Sequence, residues 1–118
     1  MVCVLSFQIK EVIFMADSRT IRALGQLDGR VYVYLADEVT GQRFLETAQA
    51  EGFTFPDGVL PTQRHYAEIM AVNADSTLHY VGAVGRIAFG SGAKCVGETC
   101  LLRVDFQRYA AGERKYLM

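Results

Sequence analysis

The segment RVYVYLA, Arg30 to Ala36, constrains this chain more than any other stretch. β-Branched and aromatic residues fill it, the types that fit a pleated, partly buried surface. Alternation puts Val31, Val33 and Leu35 on one face of a strand and Tyr32 and Tyr34 on the other. Both faces are apolar, so the strand is expected inside a sheet covered at least in part on both sides.

The segments around it read as α+β. Asp17 or Ser18 can cap a short helix carrying Ile21 and Leu24, and Asp28-Gly29 turns the chain toward the strand. Asp37 opens the main helix, about 37–51, with Phe44, Leu45 and Ala48 as its apolar stripe and Gly52 placed for a left-handed cap. Phe53 to Phe55 then resumes as a short extended piece, suggesting a β-α-β unit or a pairing of opposite sense. Glu68 to Asn73 and Thr77 to Val81 flank Ala74-Asp75-Ser76 as a hairpin. Arg86 to Phe89 is expected to continue the sheet after a bend at Gly82 or Gly85. Thr99 to Phe106 is the last strand, pairing with Ala93 to Val96 across Gly97-Glu98, and Gln107 to Glu113 closes with a turn of helix. The fold expected is one α+β domain: a mostly antiparallel sheet of four to six strands with one main helix packed on it.

Length and charge narrow the function classes. A chain of 118 residues is most naturally one domain. A formal net charge of −1 gives no whole-molecule attraction for nucleic acid or an anionic membrane. Residues 1–14 are apolar but broken by Ser6, Gln8, Lys10 and Glu11, too short and polar for a span of about 20 apolar residues. Without the features of a secretory signal, they read either as an extra strand or short helix laid on the domain or, preferred here, as a poorly packed extension upstream of a domain covering 15–118. The expected location is cytoplasmic. Cys3, Cys95 and Cys100 make no disulfide framework, although Cys95 and Cys100 can face each other across a tight hairpin. His65, His79 and these two cysteines have no common zinc spacing, so no metal and no cofactor is expected.

The stretch GAVGRIAFGSGAK, Gly82 to Lys94, looks most like a site. A phosphate loop needs Gly-x-x-x-x-Gly-Lys-[Ser/Thr] between a strand and a helix. Gly85 to Ser91 lacks the lysine, and no helical pattern follows Ser91 to offer its N-terminus to an anion. The dinucleotide pattern fails too, with Cys95 where its third glycine belongs. The glycines therefore read as bends or bulges between the core residues Val84, Ile87 and Phe89. Arg86 and Lys94 keep a backbone-lined anion site in play.

Nucleophilic catalysis needs Ser or Cys beside a His and an orienting acid, and no such arrangement stands in the sequence. Ser91 is one position short of Gly-x-Ser-x-Gly. His79 reads as a sheet-surface residue, and Asp37/Glu38 as helix-start charges. His65, in Thr62-Gln63-Arg64-His65-Tyr66 after a proline turn, is the better candidate because loops carry function. The candidate ligand- or partner-binding residues are Arg64, His65, Tyr66, Arg86, Ser91 and Lys94.

Gly41 to Phe55, Arg64-His65, Tyr80-Val81-Gly82 and Ala88-Phe89-Gly90 together resemble small proteins carried by phages and integrative elements of Gram-positive and gut bacteria. The likeness runs from about Gly29 to the C-terminus. It implies a mobile-element accessory protein and supplies no catalytic residues. Three readings follow. The first is a non-enzymatic binding protein acting on a host protein, such as an inhibitor of a defence system. The second is a binder of a small anionic ligand or nucleic acid through Arg64/His65, Arg86 and Lys94. The third is an enzyme of unfamiliar type using His65.

Overall fold

A computed structural model describes residues 19–118, and the two-faced strand lies at the centre of its sheet. Residues 1–14, Cys3, Asp17 and Ser18 fall outside the described residues. The elements in chain order are α1 (Ile21–Gly25), β1 (Arg30–Tyr34), α2 (Glu38–Ala50), β2 (Ile69–Val72), β3 (Leu78–Tyr80), α3 (Ala83–Ser91), β4 (Cys95–Val96), β5 (Thr99–Asp105) and α4 (Phe106–Ala110). They form one α+β domain. The five-stranded sheet has the order β3-β2-β1-β5-β4. β1 runs parallel to β5, and the other pairs are antiparallel.

Alternation along the strands makes two cores. Val31, Val33, Met70, Val72, Leu78 and Val104 face α1, α2 and α4, whose Ile21, Leu24, Phe44, Leu45, Ala48, Phe106 and Tyr109 complete the larger cluster. Tyr32, Ala71, Val81, Phe89 and Leu101 form the smaller cluster on the opposite face.

The main helix has the expected ends. Asp37 caps it, its Oδ1 accepting the Thr40 N–H at 2.8 Å. These hydrogen bonds from Thr40 hold the Asp37 carboxyl below the usual carboxylate range. Gly52 follows the C-cap with φ +90°. In the short first helix the cap is Thr20, whose Oγ1 accepts the Ala23 N–H at 3.0 Å, in place of the expected Asp17 or Ser18.

Phe53 to Phe55 does not pair with β1. Its Thr54 bridges Thr77 in parallel, extending the sheet by one position beyond β3. The two flanking phenylalanines explain the displacement: both are buried in the larger core, and they draw the segment past the edge. The parallel partner of β1 is instead β5, much later in the chain, as a parallel connection requires.

The largest correction concerns Gly82 to Gly92. This stretch is a helix, α3, and Arg86 to Phe89 does not continue the sheet. The strand order gives a reason. The chain leaves β3 at one edge and enters β4 at the other, four strand spacings or about 19 Å away. A nine-residue helix covers about 13.5 Å of that crossing with its backbone hydrogen bonds satisfied internally. Only one face of this helix is buried, by Gly85 and Phe89 at i, i+4 spacing. Val84 and Ile87, expected in the core, are 75% and 71% exposed.

Candidate functional site

The glycines of α3 do separate jobs. Gly82 is the N-cap, and Gly92 ends the helix in the left-handed region with φ +74°. Gly85 lies against the sheet: a Cβ there would come within 2.6 Å of Val81 Cγ1 and 2.8 Å of Tyr32 Oη. One turn later Phe89 stacks on Tyr34, with ring centroids 6.2 Å apart, and has the Arg103 guanidinium over its ring at 5.6 Å. Gly85 thus brings the helix close, Phe89 anchors it, and Ala83, Val84, Arg86 and Ile87 are left facing solvent.

Arg86 lines a groove with Ala67, Glu68, Ile69, Tyr80 and Val81, where β2 begins and β3 ends. A continuation of this groove runs along α3 past Ala83, Ile87 and Gly90. The Tyr80 hydroxyl closes one side by donating to the His65 carbonyl oxygen at 2.6 Å. Arg86 and His65 therefore belong to the same end of the molecule. Among the described residues the ion pairs are Arg64–Asp57 and Arg108–Asp105, so Arg86 enters none.

The remaining candidates separate. Arg64 pairs with Asp57 and lies over the Phe55 ring at 4.6 Å, so its charge is already engaged. That contact, with the Val59 N–H, holds the exposed Asp57 carboxyl below its usual range. His65 stacks on Tyr66 at 4.8 Å and donates its Nδ1–H to the Tyr66 carbonyl oxygen at 2.8 Å. The Tyr66 ring in turn occupies the space over Gly41 of α2. Ser91 donates its hydroxyl to the Ala88 carbonyl oxygen at 3.2 Å, within the last turn of α3. Lys94 sits at the opposite edge of the sheet, where its carbonyl oxygen accepts the Leu101 N–H. The six residues do not converge: Arg86 and the Arg64–Tyr66 loop flank the β2/β3 end, while Ser91 and Lys94 lie toward β4.

Glu68, Tyr80, Val84 and Ile87 complete the exposed surface around Arg86; none was among the candidate binding residues, and Val84 and Ile87 were read as core. The spacing Val84/Ile87 against Gly85/Phe89 is the signal that would have exposed them, since it fits a helix with one buried face.

His79 sits on the sheet as expected, half-buried beside Asn73. Asn73 Nδ2 donates to its Nδ1 at 2.9 Å, so the neutral ring carries its proton on Nε2. Burial, then the nearby Arg30 charge, lowers the His79 pKa from 6.5. The unfolded chain therefore binds this proton at higher pH than the folded one. Stability conferred by His79 is complete above pH 6.5 and is lost as the pH falls through the lowered folded value. Urea titrations between pH 7.5 and 5 should show this decline, and His79→Gln should flatten it. Asp37 and Asp57, starting from 3.8, act in a lower window. An equal slope in the variant would remove His79 as the cause.

The class defined so far is an α+β protein whose sheet, among the described residues, carries three helices on one face and one glycine-seated helix on the other. No family model, curated protein or solved structure matches the chain. Among the described residues no helix is long and apolar enough to cross a membrane, and no three His, Cys, Asp or Glu side chains cluster as a metal site.

Proposed function

We propose that this protein is a small non-enzymatic binding module that recognises a protein partner through the outer face of α3. The observation that carries the reading is the exposure of Val84 and Ile87, 75% and 71%, on a helix whose other face is fixed by Gly85 and Phe89. Large aliphatic side chains held rigidly in water favour association, because the ordering cost is already met by the fold. Arg86 stands between them in sequence with no ion pair among the described residues, and arginine is enriched in interface cores. The partner surface this suits is an apolar groove with an acidic rim. The resemblance to proteins of phages and integrative elements supports a host protein as that partner.

The anion-binding reading loses support from the separation of Lys94 from Arg86 and from the Asp57 contact of Arg64.

The test is affinity capture from a bacterial lysate with the wild-type chain, Ile87→Glu and Arg64→Ala, followed by titration of the retained partner. Ile87→Glu should weaken that partner by about 2 kcal/mol or more, the scale of an interface hot spot. Its melting temperature should change little, because an exposed substitution shifts stability by about 0.5 kcal/mol at most. Arg64→Ala should bind as wild type. Equal affinity of Ile87→Glu and wild type would refute the α3 surface. Oligonucleotide binding lost in Arg86→Ala and Lys94→Ala would replace it with the nucleic-acid reading.

A further inference from the structure

The β4–β5 hairpin presents two thiols in a fixed geometry. Gly97 and Glu98 form its two-residue loop, with Gly97 at φ +64° supplying the positive φ that such loops require. Val96 faces Thr99, and Cys95 faces Cys100 as direct cross-strand partners. The next pair inward is Lys94 and Leu101, joined by the Leu101 N–H donating to the Lys94 carbonyl oxygen at 2.9 Å. Hydrogen-bonded and non-hydrogen-bonded pairs alternate along an antiparallel ladder, so Cys95/Cys100 is a non-hydrogen-bonded pair, the type with Cα atoms about 4.5 Å apart. Disulfides span Cα separations of about 4.4–6.8 Å. Both thiols are free and exposed. By alternation they project on the side opposite Leu101, so neither is committed to the smaller core.

We propose that Cys95 and Cys100 form a reversible redox site, a thiol pair that a small disulfide oxidant such as glutathione disulfide closes into a bridge across the hairpin. One cysteine thiolate attacks a glutathione sulfur, forming a mixed disulfide and releasing one glutathione thiolate. The facing thiolate then attacks the protein sulfur of that mixed disulfide, the intramolecular bond forms, and the second glutathione leaves. Two protein thiols are oxidised, one glutathione disulfide is reduced to two thiols, and the protons lost by the protein pass to the glutathione thiolates. Facing thiols make the second step faster than capture by another molecule, and exposure keeps the bridge open to reduction. The bridge ties the two-residue strand β4, which receives the chain from α3, covalently to β5.

The experiment uses the full chain carrying Cys3→Ser, equilibrated in glutathione buffers from reducing to oxidising, alkylated and digested with trypsin. Cleavage after Lys94 and Arg103 leaves both cysteines in one peptide. The expected product is an unalkylated Cys95–Arg103 peptide lighter by two hydrogens than the reduced peptide and restored by dithiothreitol. Adding Cys95→Ser should instead trap a mixed disulfide on Cys100. Doubly glutathionylated peptide, disulfide-linked dimers at dilute protein concentration, or full alkylation across the whole range would each overturn the site.

Discussion

Phe44→Ala is expected to remove about 3–5 kcal/mol of stability, a large share of the roughly 5–15 kcal/mol of a typical domain. Phe44 is completely buried on the inner face of α2. Its ring meets Phe106 edge-to-face, with centroids 5.1 Å apart, and so ties the main helix to α4 at the far end of the described chain. Truncation deletes the apolar area and leaves a void between two helices and a sheet, which close packing keeps from collapsing fully. Urea unfolding should show a lower midpoint at an unchanged slope, the mark of a stability change without a change in exposed surface. A loss below about 1 kcal/mol would mean that α2 does not bury this face.

Gly85→Val should be the next most damaging change, by about 1–3 kcal/mol, through overpacking. The reason differs from the one the sequence suggested. Gly85 has no positive φ that valine would resist; its Cβ is excluded by Val81 and Tyr32. Valine regains only a few tenths of a kcal/mol over glycine in helix propensity, so the clash dominates. The neighbouring glycines make an internal control. Gly90 has nothing within 4 Å of a Cβ, so Gly90→Ala should stabilise by about 0.5–1 kcal/mol. Gly92 has the left-handed conformation, and Gly92→Ala should cost about 1 kcal/mol. Thermal melts of the three variants separate contact, propensity and dihedral strain along one helix. If Gly85→Val and Gly90→Ala shifted the melting temperature alike, α3 would not be seated on the sheet through Gly85.

The parts of the fold legible in the sequence are those whose signals are local. Asp37 and Gly52 bound α2 because a cap and a left-handed residue act within one turn of backbone. The hairpin at Gly97-Glu98 and the facing of Cys95 and Cys100 follow from loop length. The candidate site was less legible. Arg86 and His65 were singled out and do lie at one end, but their association runs through the Tyr80 hydroxyl on the His65 carbonyl, a contact between residues 15 apart in sequence.

The sequence by itself determined that β1 is covered on both faces, since alternation at Val31–Leu35 leaves it no polar side. What covers the second face was decided by tertiary structure alone. GAVGRIAFGSG is rich in glycine, and each glycine inside a helix costs about 1 kcal/mol relative to alanine. Local propensity therefore pointed to bends. The helix forms because the strand order makes the chain cross from β3 to β4, and because Gly85 and Phe89 meet Tyr32 and Tyr34 only when they share a helical face. That choice turns Val84 and Ile87 from expected core into exposed surface, because a helix against a sheet buries one side and a strand within it buries residues by alternation.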